Sequence, residues 1–126
     1  MAGLTLDTGA LIGFERSDRR TLVHLKHAQV LGFELTVPTV VIAESWRGGP
    51  RSARIASLLE ACMIEPLFAD LARQAGEAIA AVKGASAVDA IVMASASRRG
   101  DRVLTSDFDD LDRLRSYFPT VRLLGA

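Results

Sequence analysis

The chain contains 126 residues with a formal net charge of zero; 49% of them are hydrophobic and 24% are charged. These values are typical of a folded globular domain, and they argue against a disordered chain or one that coats nucleic acid through bulk positive charge. The sequence has no apolar run long enough to span a bilayer and no recognisable signal peptide, so we expect a cytoplasmic protein without a membrane segment. Cys62 is the only cysteine, which excludes an internal disulfide and predicts a buried structural thiol.

The first half of the chain alternates short apolar strands with helices. The patterns predict a strand at 3–6, a helix after Asp7, a helix at 19–31 closed by Gly32, a strand at 34–37, and a helix from Pro38 to Gly48. Two acids lie within this half at junctions or inside apolar structure. Asp7 follows the first strand, where it is either the N-cap of the next helix or part of a site at the edge of a sheet.

The second acid, Glu44, lies in the middle of an apolar helix. An unpaired carboxylate buried there would be costly, so Glu44 must be exposed, paired or bound to a cation. Arg47 stands three residues further on and would share its helix face. Glu44 therefore either forms an ion pair with Arg47 on a solvated face or has a functional role.

The second half continues the alternation. It predicts an amphipathic helix at 52–62, a strand at 64–68 broken by Pro66, a helix with an apolar stripe from Leu71 to Val82, a helix at 86–99, a strand at 102–105, a short helix at 111–118 and a strand at 121–124. This pattern predicts an α/β fold in a single domain, residues 1–126. Its mainly parallel sheet of four to five strands is covered on both sides by helices.

The segment from Ser86 to Asp107 carries the clearest local signals. Ser86 and Asp89 form a capping box that opens a helix, and Gly100 is typical of a helix end. The apolar strand that follows ends just before Asp107. One carboxylate is thus predicted in the first turn of a buried helix and another at the carboxyl end of a strand, the edge where open α/β sheets bind ligands.

Charged residues are distributed unevenly along the chain. Residues 16–54 contain seven Lys or Arg against three acids, whereas residues 101–112 contain five acids against one arginine. This asymmetry indicates either a phosphate-binding face beside an acidic pocket or ordinary solvated helix faces.

Four carboxylates are candidates for a common site: Asp7, Glu44, Asp89 and Asp107. If they converge, their mutual repulsion requires a bound cation or the uptake of protons. Oxygen ligands without Cys or His favour Mg²⁺ or Mn²⁺. Such an ion suits phosphate substrates, because it can activate a water and stabilise charge on the phosphate. Spacing along the sequence does not show whether the four converge.

Four motifs follow one another along the chain: LDTGAL at 6–11, the P-x₅-E-x₂-R pattern of Pro38, Glu44 and Arg47, SAVDA around Asp89, and VLTSDFDDL at 103–111. Each is weak alone, but together and in this order they resemble the PIN-domain family, specifically the VapC-like toxins of toxin–antitoxin systems. The resemblance extends from the first predicted strand nearly to the last. It implies a PIN-like three-layer sandwich.

The resemblance also implies an activity. The protein would be an endoribonuclease dependent on Mg²⁺ or Mn²⁺, with Asp7, Glu44, Asp89 and Asp107 as its catalytic, metal-binding quartet. Asp7 and Asp89 would be direct ligands of the first metal, with Asp107 next. Glu44 would act on a second metal or through water.

Three further residues match positions in the same motifs. Thr105 would bond a carboxylate or a bound water. Asp110 would be an additional acid of the site or simply an acidic residue at a helix N-terminus. Arg47 would contact RNA phosphate or hold Glu44. The family's partners would be RNA, a second copy in a homodimer, and an antitoxin that inserts a peptide, often through a basic side chain, near the acidic groove.

Two other functions remain open. Asp after a first α/β strand also serves as a phosphoryl acceptor, which suggests a metal-dependent phosphatase or phosphotransferase. Gly9 in place of a second Asp, and the lack of an evident catalytic Lys, count against that activity. The other alternative is a catalytically silent module that binds RNA or protein, although retention of all four acids argues against it.

Overall fold

The computed structural model describes residues 3–125. Within them the chain forms five strands and seven helices. In chain order these are β1 (Gly3–Leu6), α1 (Thr8–Glu15), α2 (Arg19–Leu31), β2 (Glu34–Pro38), α3 (Thr39–Ser45), α4 (Arg51–Glu60), β3 (Met63–Glu65), α5 (Ala69–Ala81), α6 (Ala87–Arg99), β4 (Arg102–Thr105), α7 (Phe108–Leu114) and β5 (Arg122–Gly125). The predicted α/β class is confirmed.

The strands form one sheet in the order β3-β2-β1-β4-β5, and every neighbouring pair is parallel. The chain moves from β1 to β3 in one direction and then crosses back to β4 and β5. Because parallel crossovers are right-handed, α1 to α4 cover one face and α5 to α7 the other. The reversal places a topological switch point between β1 and β4, which is where such sheets bind ligands.

Helix α6 is the central helix of its face. It packs across β1, β2 and β4, and α5 lies against it. Its residues from Ala90 to Ala96 are all buried, and the alanines and the serine among them allow close approach of neighbouring elements. The Ser86 hydroxyl accepts the backbone N–H of Asp89 at the start of the helix, and Gly100 ends it with a left-handed φ of 73°. The Ser86 cap and the glycine helix end are confirmed, but the return bond of a full capping box, from the Ser86 N–H to the Asp89 carboxylate, is not among the hydrogen bonds of the described residues.

Several element boundaries differ from the sequence predictions by one or two residues, and three elements differ by more. Strand β3 ends at Glu65, because Pro66 has no N–H to continue the ladder. Helix α7 begins at Phe108, three residues earlier than predicted. Helix α3 ends at Ser45, and the next residue, Trp46, has extended backbone.

The early end of α3 rules out the ion pair with Arg47 that was one of the two alternatives for Glu44. Arg47 lies beyond the helix, so the i, i+3 geometry does not exist. Its guanidinium instead donates to the carbonyl oxygen of Trp46 at 2.9 Å, and Glu44 accepts a hydrogen bond from Thr8.

A polar network that the sequence did not predict surrounds Arg99, the last residue of α6. The Arg99 guanidinium donates to Glu65 at 2.6 Å and to Asp101 at 3.0 Å, and also to the hydroxyls of Thr5 and Ser95. Thr5, Ser95 and Asp101 are buried, so one cation satisfies groups from β1, β3, α6 and the residue before β4. The network ties the edge strand β3 to the centre of the domain.

Within residues 3–125, no helix has the length and apolar character needed to cross a membrane.

Candidate active site

The candidate site lies at the carboxyl ends of β1 and β4. Leu6 pairs with Leu104 in the parallel ladder, and the Asp7 N–H donates to the Leu104 carbonyl at 3.2 Å. Asp7, directly after β1, and Thr105, the last residue of β4, therefore lie side by side. The chain after β1 enters α1 on one face, and the chain after β4 enters α7 on the other.

Asp7 is almost completely buried, with 4% of its surface exposed. Its carboxylate accepts the Ala10 N–H at 2.9 Å and so caps α1. Its pKa is raised from 3.8 to about 6, mainly by burial and also by the nearby charges of Asp107 and Asp89. Interactions with the Thr105 hydroxyl and the Ala10 N–H act in the opposite direction. The two roles considered for Asp7, helix cap and edge carboxylate, are thus compatible.

Asp89 is placed at the same edge by the first turn of α6. Its carboxyl is half-buried, and burial is the main cause that raises its pKa. The Ser86 hydroxyl opposes this shift, whereas the charges of Asp107, Asp110 and Glu44 add to it. Asp89 therefore experiences the charges of three other carboxylates, two at the start of α7 and one in α3.

Asp107 follows β4 at the N-cap position of α7 and is exposed. Within the described residues its side chain makes no capping bond to that helix. Its backbone N–H donates instead to the Thr105 hydroxyl at 2.8 Å. Thr105 is fully buried beside Asp7, so one threonine connects the environments of two of the four acids.

Glu44 reaches the edge from α3. Its carboxylate accepts a hydrogen bond from the Thr8 hydroxyl at 2.5 Å, next to Asp7 in the chain. The sequence did not predict this contact of Thr8. The missed signal was the Asp-Thr pair itself: once Asp7 caps α1, the adjacent hydroxyl is available for another partner.

The two charged residues that were predicted to support the site, Asp110 and Arg47, lie at its margins. Asp110, in the first turn of α7, forms an exposed ion pair with Arg113 at 2.8 Å. It still contributes to the raised pKa of Asp89. Arg47 lies beside Glu44 in the wall of a separate small cavity.

The four acids thus share one edge and interact electrostatically, but they do not form a closed cage. Among residues 3–125, no group of three Asp, Glu, His or Cys side chains is arranged to hold a metal ion. The donor chemistry nevertheless fits a hard divalent cation, because all four groups are carboxylates and burial with like charge raises the pKa of Asp7 and Asp89. A cation at this edge would relieve their repulsion.

A doubly wound parallel sheet with carboxylates at its switch point defines an α/β protein with an acidic ligand edge. We call this edge, around Asp7, Asp89 and Asp107, the acidic crevice. The family model described as "PIN domain" matches residues 4–116, and the chain belongs to this family. No curated protein matches the sequence significantly.

Solved structures of toxin–antitoxin systems share the fold. A chain in VapBC2 from Rickettsia felis, bound to a DNA fragment from its promoter, has a TM-score of 0.79 at 14% identity, covering 100% of this chain and 99% of that one. A toxin–antitoxin complex from Klebsiella pneumoniae gives 0.74 at 18%, covering 94% and 95%. VapC20 of Mycobacterium tuberculosis, a toxin that cleaves the sarcin–ricin loop, gives 0.64 at 19%, covering 85% and 93%. The chain is therefore a PIN domain that resembles VapC toxins in structure.

Proposed function

We propose that this protein is a metal-dependent endoribonuclease and the toxin of a toxin–antitoxin pair. The observation that carries the proposal is the state of Asp7: it is buried between the ends of the two central strands, with a pKa raised to about 6 by burial and by two neighbouring acids. A protein that keeps such a carboxylate at a switch point gains by binding a cation there. Membership of the PIN-domain family supports the same activity.

The proposed roles follow from the positions of the four acids. Asp7 and Asp89 hold Mg²⁺ or Mn²⁺ directly, Asp107 is the next ligand, and Glu44 acts on a second metal or through water. When bound, such an ion supplies activation of a water and neutralisation of charge on the phosphate. The Thr105 hydroxyl interacts with the Asp7 carboxylate and accepts the backbone N–H of Asp107, and so positions both acids. Asp110 adds negative charge near Asp89.

The proposed partners are RNA, a second copy of the chain and a cognate antitoxin. Structural neighbours from Rickettsia felis and Klebsiella pneumoniae were crystallised as toxin–antitoxin complexes, which supports this assignment. An acidic crevice with unneutralised charge also favours a basic side chain from an inhibitor.

The test is cleavage of a panel of purified RNAs with Mg²⁺, with Mn²⁺ and with chelator. Asp89→Asn removes one proposed ligand with little change in shape. Asp112→Asn is the matched control, because it removes the same charge from an exposed acid that pairs with Arg115 outside the quartet. Circular dichroism checks that each variant is folded.

We expect metal-dependent cleavage by the wild type and by Asp112→Asn, and a loss of at least 100-fold in Asp89→Asn. Equal cleavage by Asp89→Asn and the wild type would reject the proposed role of Asp89. If folded, antitoxin-free wild-type protein cuts no RNA with either metal, the nuclease proposal fails, and the phosphatase or the silent binding module becomes the better assignment.

A further inference from the structure

A small basic cavity adjoins the acidic crevice. It has a volume of about 160 Å³ and lies where the ends of α1 and α3 meet the start of α4. Three arginines line it, Arg16, Arg47 and Arg51, together with Glu15 and Glu44. Glu44 also belongs to the proposed metal-binding quartet, so the cavity and the crevice share a wall.

The guanidinium groups of these arginines have N–H donors that the described residues do not use. Arg51 makes only a 3.4 Å ion pair with Glu15, and its side chain is 75% exposed. The Arg47 guanidinium donates a hydrogen bond to the carbonyl of the neighbouring Trp46. Arg16 has no ion-pair partner among the described residues. Three arginines against two glutamates leave an excess of one positive charge, which matches the single negative charge of a phosphodiester.

The backbone around the cavity is fixed by one buried side chain. Ser52, only 2% exposed, accepts the N–H groups of Arg47 and Gly48 at 3.2 and 3.0 Å. These bonds hold the turn between α3 and α4, and with it the position of Arg47 relative to Arg51. The ten-residue helix α4 also begins here, so the positive end of its dipole lies at the cavity.

We propose that Arg16, Arg47 and Arg51 bind a backbone phosphate of the RNA strand, next to the phosphate that enters the acidic crevice. The proposal rests on the proposed nuclease function and names a subsite for its substrate. A crevice lined by carboxylates repels RNA, so a neighbouring cationic site is needed to supply affinity. Arginine suits this purpose because its planar guanidinium bonds phosphate oxygens in pairs. Such contacts position a strand without reading its sequence.

The test is binding of a labelled single-stranded RNA, measured by fluorescence anisotropy at several salt concentrations. All proteins carry Asp89→Asn, so that cleavage does not consume the probe. Arg16→Gln with Arg51→Gln removes two of the three arginines. Arg122→Gln, an exposed arginine on the edge strand β5, is the control for net charge. Glu15→Gln removes one negative charge from the cavity and leaves all three arginines in place.

We expect the double variant to bind at least tenfold more weakly, and the slope of log K against log salt to fall by about 0.7 for one lost phosphate contact to a single strand. Glu15→Gln should bind more tightly, and Arg122→Gln should stay within twofold of its parent. Thermal melting confirms that each variant is folded.

Unchanged affinity and slope in the folded double variant would overturn the proposal, as would equal losses in the double variant and Arg122→Gln. The outcome is separate from the nuclease test. RNA binding that depends on these arginines, in a protein that cuts no RNA, keeps the subsite and rejects the activity. Cleavage without such dependence keeps the activity and rejects the subsite.

Discussion

Asp7 is the residue whose position conflicts most with its charge. Its carboxylate is buried, and its pKa of about 6 lies above the ordinary value of 3.8. A raised folded-state pKa means that the folded protein binds this proton more tightly than the unfolded chain does. The stabilisation is complete below pH 3.8 and is lost as the pH rises through about 6. At neutral pH, ionised Asp7 therefore destabilises the metal-free protein.

Replacement of Asp7 by Asn should stabilise the metal-free protein while it abolishes cleavage. The amide cannot ionise, but its oxygen can still accept the Ala10 N–H that caps α1. A shift of two pKa units corresponds to roughly 3 kcal/mol, so we expect a gain of about 1–3 kcal/mol at pH 7.5. Urea denaturation in the presence of a chelator measures this gain in the free energy of unfolding.

The pH dependence provides the control for this variant. The difference in unfolding free energy between Asp7→Asn and the wild type should be small near pH 4 and should grow up to about pH 6. A difference that does not vary with pH would show that ionisation of Asp7 is not its cause.

Cys62 should react slowly while the protein is folded. Burial raises its thiol pKa from 9.0 to about 11, and the sulfur donates to the Leu58 carbonyl at 3.2 Å. Two pKa units lower the thiolate fraction at pH 8 by about 100-fold. A disulfide reagent should therefore label the native protein about 100-fold more slowly than a small thiol, and unfolding in urea should remove the difference. Equal rates would contradict a protected thiol.

At the scale of elements, the contact between α1 and the end of β4 leaves no room for a side chain at Gly9. A Cβ there would lie 2.7 Å from the Cβ of Ser106 and 3.1 Å from its backbone nitrogen. Gly9→Ala must displace Ser106 and, with it, Asp107. We expect a loss of about 1–3 kcal/mol in urea denaturation, together with reduced cleavage.

Gly76 provides the matched control for Gly9. It also lies within a helix, α5, but nothing stands within 4 Å of an added Cβ. Gly76→Ala should therefore stabilise the protein by about 1 kcal/mol through helix propensity alone. Similar effects of the two substitutions would show that the contact of Gly9 with Ser106 does not constrain α1.

Adjacent arginines at the end of α6 should differ sharply in their effect on stability. Arg99 neutralises Asp101, which is 5% exposed, and Glu65. Arg99→Met leaves Asp101 buried without its cation, so we expect a loss of about 3 kcal/mol. Arg98 pairs with the exposed Asp70, and Arg98→Met should change stability little. Urea denaturation measures the free energy of unfolding of both variants. Equal losses would show that the Arg99 network stabilises the protein no more than the exposed pair of Arg98 with Asp70 does.

The sequence predicted the elements well where the signal was local. Arg19–Leu31 and Arg102–Thr105 have the bounds that caps, glycine and apolar runs indicated. The alternative that paired Arg47 with Glu44 on one helix face was wrong, because helical spacing was extended past the residue where α3 ends. The Arg99 network could not be predicted, since its members lie on four segments that only tertiary packing brings together.

At the scale of the whole molecule, the doubly wound topology explains why Asp7, Asp89 and Asp107 share one edge although they are distant in the chain. Asp7 and Asp107 follow adjacent parallel strands on either side of the switch point, and α6 runs back across the sheet so that its first turn lies near them. The sequence indicated which acids follow strands or begin helices. It did not give the strand order, which depends on how the helices pack, and the order is what decides that these acids meet. Their roles as metal ligands remain predictions.

Metal binding should offset or reverse the stability advantage of Asp7→Asn over the wild type. In chelator the variant melts higher, because it lacks the buried charge. A divalent ion that binds only the folded wild type stabilises it by about 2.7 kcal/mol at 100 times its dissociation constant. For a domain of this size that corresponds to a rise of roughly 10 °C in Tm. Asp7→Asn has lost a ligand, so its melting temperature should rise much less.

The same experiment at lower pH identifies the carboxylate involved. A proton on Asp7 competes with the metal, so the Mn²⁺-induced rise in Tm should shrink as the pH falls below about 6. Asp112→Asn, which leaves the acidic edge intact, should melt like the wild type under both conditions. Equal metal-induced rises in the wild type and Asp7→Asn would place the ion elsewhere, and the buried carboxylate of Asp7 would then need another explanation than metal binding.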